Sequence, residues 1–186
     1  MKLTESNNIS LSGADVKLRV VQESDARFIL NLRNDERLKT HISPTSSDVD
    51  NQIEWIRNYK KRESEGKEFY FIFEDLDKKS WGTVRLYDLT DESFTIGSWL
   101  CLPGKNDNIA IRAWLLCIEF AFEKLDYNTC MFDIRKTNRT VLYFARLFNP
   151  EQFNEDNLNF YFRLEKGTFY KNREKVVTLL NLGNKK

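Results

Sequence analysis

Residues 94–102 form a nearly continuous apolar run that Pro103-Gly104 halts, and from Ile109 onward Ala110, Ala113, Trp114, Cys117, Phe120 and Ala121 recur at three- and four-residue spacing. A strand that is apolar on successive positions needs cover on both of its faces, and the amphipathic helix that follows supplies one such layer. This strand–turn–helix unit commits the chain to a layered α/β architecture.

The remaining periodicities are consistent with that reading. Val16-Lys17-Leu18-Arg19-Val20 alternates as a half-buried strand does. Ala26, Ile29, Leu30 and Leu32 then recur at helical spacing after Glu23 and Asp25, which suit a helix N-terminus. The cluster Ser43-Pro44-Thr45-Ser46-Ser47 opens a second helix with Gln52, Trp55, Ile56 and Tyr59 on one face. Residues 69–73, 81–87 and 94–102 read as three strands, 131–134 as a short strand, 138–148 as a helix and 159–164 as a last strand. The order βαα-βββ-αβαβ lacks the regular alternation of a doubly wound sheet. It predicts a mixed central sheet of six to seven strands flanked by about four helices. One domain is expected over residues 15–178, between a flexible segment 1–14 and a frayed end 179–186.

Composition narrows the function classes. The net charge is +1, so the whole-molecule field gives no reason to expect nucleic acid. No apolar stretch reaches the length of a membrane span, and Cys101, Cys117 and Cys130 are odd in number and widely spaced. The expectation is a cytoplasmic protein without disulfides, membrane contact or a metal site. A chain of this size buries roughly 70% of the surface its unfolded form exposes and needs no staples.

Five ordered pieces resemble the GNAT acetyltransferase superfamily, in the branch that includes ribosomal-protein and amino-sugar N-acetyltransferases. They are Leu18-Arg19-Val20 with Asp25-Ala26, Leu32-Arg33-Asn34-Asp35, Gly82-Thr83-Val84-Arg85, Ile96-Gly97-Ser98-Trp99-Leu100, and Phe120-Ala121-Phe122 with Leu125 ahead of Phe132-Asp133-Ile134-Arg135-Lys136-Thr137-Asn138. The resemblance implies a GNAT fold whose parallel central strands, 94–102 and 131–134, splay apart to admit acetyl-CoA as acyl donor. It assigns the cofactor to Trp99, Leu100, Cys101 and Leu102 along the strand. The turn Lys105, Asn106, Asp107, Asn108, Ile109 and Ala110 would receive the diphosphate, and Asn138 would touch the cofactor. Amide groups at a helix start suit a diphosphate, and strand amides suit pantetheine.

The sequence departs from the family pattern at several places. Asn108 and Asn149 stand where Gly is usual, and Asn is the non-glycine residue most tolerant of positive φ. Ala145 occupies the position of the usual Tyr or His acid, and Thr95 that of a common Glu. Tyr143 lies nearby, although two residues along a helix points elsewhere.

Several side chains carry two readings. Asp88 is a candidate base or the start of a turn. His41, the sole histidine, is a candidate base beside the acceptor loop or an incidental surface group. Trp55 stacks on an acceptor or packs a helix face. Arg85 and Tyr87 read a phosphate or carboxylate, or Arg85 makes a cross-strand ion pair. Cys101 is core rather than nucleophile, since no His or second Cys accompanies it. The implied function is an N-acetyltransferase acting on a small-molecule amine, with a nucleotide-linked amino sugar preferred, working as a monomer or homodimer. A protein N-terminal acetyltransferase and a silent GNAT-fold binding module are the alternatives.

Overall fold

The computed structural model describes residues 9–13, 15–104 and 108–180. The first strands are β1 (Ser10–Gly13) and β2 (Val16–Val20), followed by helices α1 (Ala26–Asn34) and α2 (Val49–Ser64). Strands β3 (Phe69–Glu74), β4 (Ser80–Tyr87) and β5 (Ser93–Cys101) lead to α3 (Ile109–Glu123). Then come β6 (Thr129–Arg135), α4 (Arg139–Arg146), β7 (Glu151–Glu155), β8 (Asn159–Glu165) and α5 (Lys166–Leu179). All eight strands form one sheet in the order β1-β2-β3-β4-β5-β6-β8-β7, and β5–β6 is its parallel pair.

Burial explains the sequence pattern. Every residue of β3 is buried because helices cover both of its faces. Phe69 and Phe71 meet Phe120 of α3 edge to face, while Tyr70 and Ile72 join Ile29 of α1 with Ile56 and Tyr59 of α2. The larger apolar cluster lies on the face covered by α3, α4 and α5. There Trp114 packs against Phe144 and Phe148, and Phe122 against Phe169. Aromatic edge-to-face pairs of this kind add about 0.5–1.5 kcal/mol each beyond the area they bury.

The fold is the expected one, with three elements more than the periodicity revealed. Ser10–Gly13, placed by composition in a flexible segment, pairs antiparallel with β2. All five residues of β7 are exposed, so that edge strand carries no hydrophobic signal. Helix α5 begins with Lys-Gly and buries only Phe169 and Val176, too sparse a stripe to read as a helix. The expectation for the chain ends lies outside the described residues at 1–8 and 181–186. Helix α4 is shorter than residues 138–148, because Asn138 is its N-cap and accepts from the Val141 N–H at 3.3 Å.

Candidate active site

The site begins with a failure of pairing. Strand β5 registers with β6 at only three positions, Ser93 with Thr129, Phe94 with Cys130 and Thr95 with Met131. β6 stays with β8 through seven pairs, four of them past Met131, and β5 stays with β4. The two parallel strands therefore diverge past Thr95 and Met131.

A bulge makes the divergence. The β4–β5 register shifts between Thr83 and Arg85, opposite Ser98, whose φ is +48°. Such a bulge bends its strand and sharpens the twist. The buried Thr83 hydroxyl donates to the Ser98 carbonyl at 2.7 Å and fixes the distortion. Past the bulge, the Leu102 N–H bonds the Trp81 carbonyl at 2.8 Å. Backbone groups alternate sides along an antiparallel strand, so the Cys101 amide faces the open flank.

A cleft of about 640 Å³ fills the opening. One wall is Gly97, Ser98, Trp99, Leu100 and Cys101, and the other is Phe132, Ile134, Asn138, Val141, Phe144 and Ala145. Trp99 donates its indole N–H to the Ala110 carbonyl at 2.9 Å, tying the strand end to the first turn of α3. Asn108, the N-cap of α3, sits in left-handed backbone at φ 58°, ψ 24°. Its side-chain amide donates to the Leu180 carbonyl at 3.0 Å. Asn149 likewise has φ +55°, so both asparagines hold the backbone that glycine would.

The second half of the site lies on the sheet face covered by α1 and α2. Directly paired residues share a face. Arg85 pairs with Gly97 and Tyr87 with Thr95, while Thr95 registers with Met131, so Asp133 stands across the gap on that same face. Tyr87 lies over Gly97, where an added Cβ would come within 2.9 Å of its ring. Asp133 is the carboxylate of the cleft wall, among the cations Arg33, Arg85 and Arg135. Its carboxyl reaches water through the mouth, yet the surrounding walls strip enough solvation to hold its pKa above the usual value, with Arg135 opposing. Burial, and next the charge of Asp133, raise the Tyr87 phenol.

Arg85 is clamped. Its Nε donates to Glu68 at 2.5 Å, and its guanidinium lies over the rings of Trp55 (5.1 Å) and Tyr87 (4.8 Å). The ion pair is real, but its partner is buried Glu68 just before β3 rather than a residue of a neighbouring strand. His41 lines the cleft with a buried Nδ1 that has no hydrogen-bond partner among the described residues. Trp55 lines a neighbouring pocket of about 300 Å³.

Three groups of expected site residues fall elsewhere. Asp88 is exposed in a left-handed turn after β4 and does not line the cleft. Tyr143 is 65% exposed, because α4 turns Ala145 rather than Tyr143 toward the gap. Leu102 bonds back to β4, and the Ile109 side chain is core. Lys105, Asn106 and Asp107 lie outside the described residues. The sequence reading assigned no role to Asp133, Arg33 or Arg135. The signal for Asp133 and Arg135 was present, since polar residues alternate with Phe132 and Ile134 and must face away from the core.

Residues 15–146 match a family model described as an acetyltransferase (GNAT) domain. Among solved structures, apo FdhC, described as a nucleotide-linked sugar GNAT, is 37% identical with a TM-score of 0.82, over 93% of this chain and 99% of that one. Mycobacterium smegmatis RimJ in complex with CoA-disulfide superposes with a TM-score of 0.77 at 14% identity, covering 95% and 96% of the two chains. Vibrio cholerae spermidine N-acetyltransferase in complex with CoA and spermine gives 0.68 at 18% identity, covering 84% and 98%. At those lower identities the likeness speaks for the fold alone. No curated protein sequence matches the chain. With the family model spanning the parted strands, the bulge and the helix start that frame the cleft, the chain belongs to the GNAT acetyltransferase family.

Proposed function

We propose that the protein is an N-acetyltransferase that acetylates the amine of a small molecule, with a nucleotide-linked amino sugar as the favoured acceptor and the cytoplasm as its location. The observation that carries this reading is the cleft between the diverging strands β5 and β6, with the backbone of β5 on one wall and Asp133 on the other. Acetyl-CoA supplies the acyl group as an activated thioester. The residues present fit it, since the cleft is open along Gly97–Cys101 and the left-handed Asn108 preserves the entry to α3. Backbone N–H groups of β5 along the gap donate to developing negative charge on a carbonyl oxygen. Trp99 and Val141 wall the cleft, and the first turn of α3 attracts a diphosphate.

Asp133 is the base. An amine arriving as ammonium must lose a proton before it attacks, and the Asp133 carboxylate takes it on the face where Tyr87 and Arg85 bound the acceptor. His41, with its unpartnered Nδ1, gives that proton a second route or binds an acceptor hydroxyl. The acceptor preference draws on the basic wall and on the 37% identity to a nucleotide-linked sugar GNAT. Cys101, Cys117 and Cys130 form no disulfide among the described residues, which suits a reducing compartment.

Thermal-shift titration with acetyl-CoA, followed by a free-thiol assay over amino sugars, nucleotide amino sugars, polyamines and peptides, tests the reading. About 3 kcal/mol of stabilisation is expected at roughly a hundred times the dissociation constant. Turnover should be fastest with a nucleotide amino sugar. Binding without turnover on any amine would leave a silent module, and turnover confined to peptides would reassign the acceptor.

A further inference from the structure

A second pocket of about 300 Å³ opens behind the Ser98 bulge, and Arg33, Arg85 and Ser98 line both it and the main cleft. It is enclosed by Ile29 of α1, Pro44 and Thr45 of the following loop, Gln52 and Trp55 of α2, and Tyr70 of β3.

Its polar groups are out of balance in one direction. Arg33 donates from Nε to the Thr45 hydroxyl at 2.5 Å and from Nη2 to the Ser43 carbonyl at 3.1 Å. Both acceptors are neutral, and among the described residues no carboxylate pairs with Arg33. Arg85 shares its one carboxylate, Glu68, with Arg62, whose Nε lies 2.6 Å from it. Two guanidinium groups, Arg33 and Arg85, thus line the pocket, and the carboxylate paired with Arg85 is shared with Arg62 outside it. Gln52 is only 8% exposed, and its amide has no hydrogen-bond partner among the described residues. That amide lines the pocket and is open to a ligand that enters it.

We propose that this pocket is an anion subsite, in which Arg33 and Gln52, with Arg85 at the threshold, hold the phosphate-bearing end of an acceptor whose amine lies beside Asp133. The inference rests on the amine-transfer reading and adds where the acceptor's charge is read. A guanidinium whose orientation is already fixed by Thr45 and Ser43 binds phosphate with little further ordering. The geometry favours a molecule with an amine at one end and a phosphate or diphosphate at the other. A polyamine would bring positive charge against the guanidiniums of Arg33 and Arg85.

Calorimetry with uridine diphosphate, inorganic pyrophosphate and uridine on the full chain saturated with CoA tests the assignment. Uridine diphosphate and pyrophosphate should bind and uridine should not. R33A should weaken uridine diphosphate at least tenfold, R33K should recover part of the loss, and Q52L should weaken it less. The affinity for CoA should stay within twofold in all three. If R33A fails to fold, R33K and Q52L carry the test. Displacement of uridine diphosphate by CoA would overturn the proposal, because the diphosphate would then occupy the donor turn. Unchanged uridine diphosphate affinity in natively melting R33A would overturn it as well. The two readings also fail separately. Acetylation of amino sugars with an acceptor KM indifferent to R33A removes the subsite alone, whereas absence of transfer to any amine removes the transfer reading while the calorimetry still decides the subsite.

Discussion

The two flanks of β5 obey different rules. Toward β4 the strand is paired almost to its end, with Thr83 against Leu100 and Gly82 against Cys101, and the contact is so close that a Cβ on Gly82 would lie 2.0 Å from the Leu100 carbonyl oxygen. Toward β6 pairing stops at Thr95, and from Gly97 to Cys101 the strand only walls an open cleft. One flank's hydrogen bonds hold the sheet together, and the other borders the cleft. A change on the closed flank should therefore alter stability first, and a change on the open flank should alter rates and affinities first.

The largest expected effect is on the open flank. D133N should lower kcat by about 10²–10⁴-fold, the usual worth of a positioned general base. Asp133's pKa is raised, so the carboxyl holds its proton to higher pH than an ordinary aspartate, and the active, ionised form is lost as pH falls through that raised value. The acid limb of the wild-type kcat profile should lie above the normal carboxylate range, and D133N should lack it. The stability linkage runs the other way. A carboxyl with a raised folded pKa costs stability once ionised, so D133N should melt no lower than wild type at neutral pH. A variant that loses activity and stability together would break the comparison.

Next in size is a pair of glycines. In G82A the new methyl meets backbone at 2.0 Å and the Phe73 ring at 2.3 Å, so strands must move, at about 1–3 kcal/mol. The melting temperature should fall by about 2–4 °C per kcal/mol in a chain of this size. In G97A the methyl meets only the end of the Tyr87 ring at 2.9 Å, and a side chain can swing. Its melting point should hold while the acceptor KM rises several-fold. Equal loss of stability in the two variants would mean that the open flank is as rigid as the closed one.

How much of this was legible in the sequence divides along the same line. Strand β5 and helix α3 were plain because apolar residues write their period directly, and the loss of pairing after Thr95 came from the resemblance, since no periodicity reports that two strands part. Side chains of the open flank were harder to read. Asp88 and Tyr143 were plausible by chemistry, but their directions depend on a left-handed turn at Asp88 and on the phase of α4, neither of which composition encodes. Asp133 and Arg135 were visible as the polar alternates of β6, and their importance came only from what stands across the gap. Arg33 became conspicuous once Thr45, Gln52 and Ser98 were seen around it. Strand β7 stayed hidden because an exposed edge strand needs no apolar residue.

The smallest effect separates two residues that sequence alone makes equivalent. Asn108 and Asn149 both hold left-handed backbone, and both replace a glycine of the family pattern. Alanine at either position should cost about 1–2 kcal/mol, because a Cβ without a polar partner is strained there. Glycine relieves that strain at both, so N149G should match wild type in melting temperature, as no hydrogen bond of its side chain is lost. Asn108 also donates its side-chain amide to the Leu180 carbonyl, joining the donor turn to the end of α5. N108G should therefore lose about 0.5–1 kcal/mol, the net worth of one solvent-accessible hydrogen bond, and weaken acetyl-CoA as the turn loses its anchor. Identical melting curves and acetyl-CoA affinities for N108G and N149G would mean that the Leu180 contact carries no weight, and that the turn before α3 is held by its backbone conformation alone.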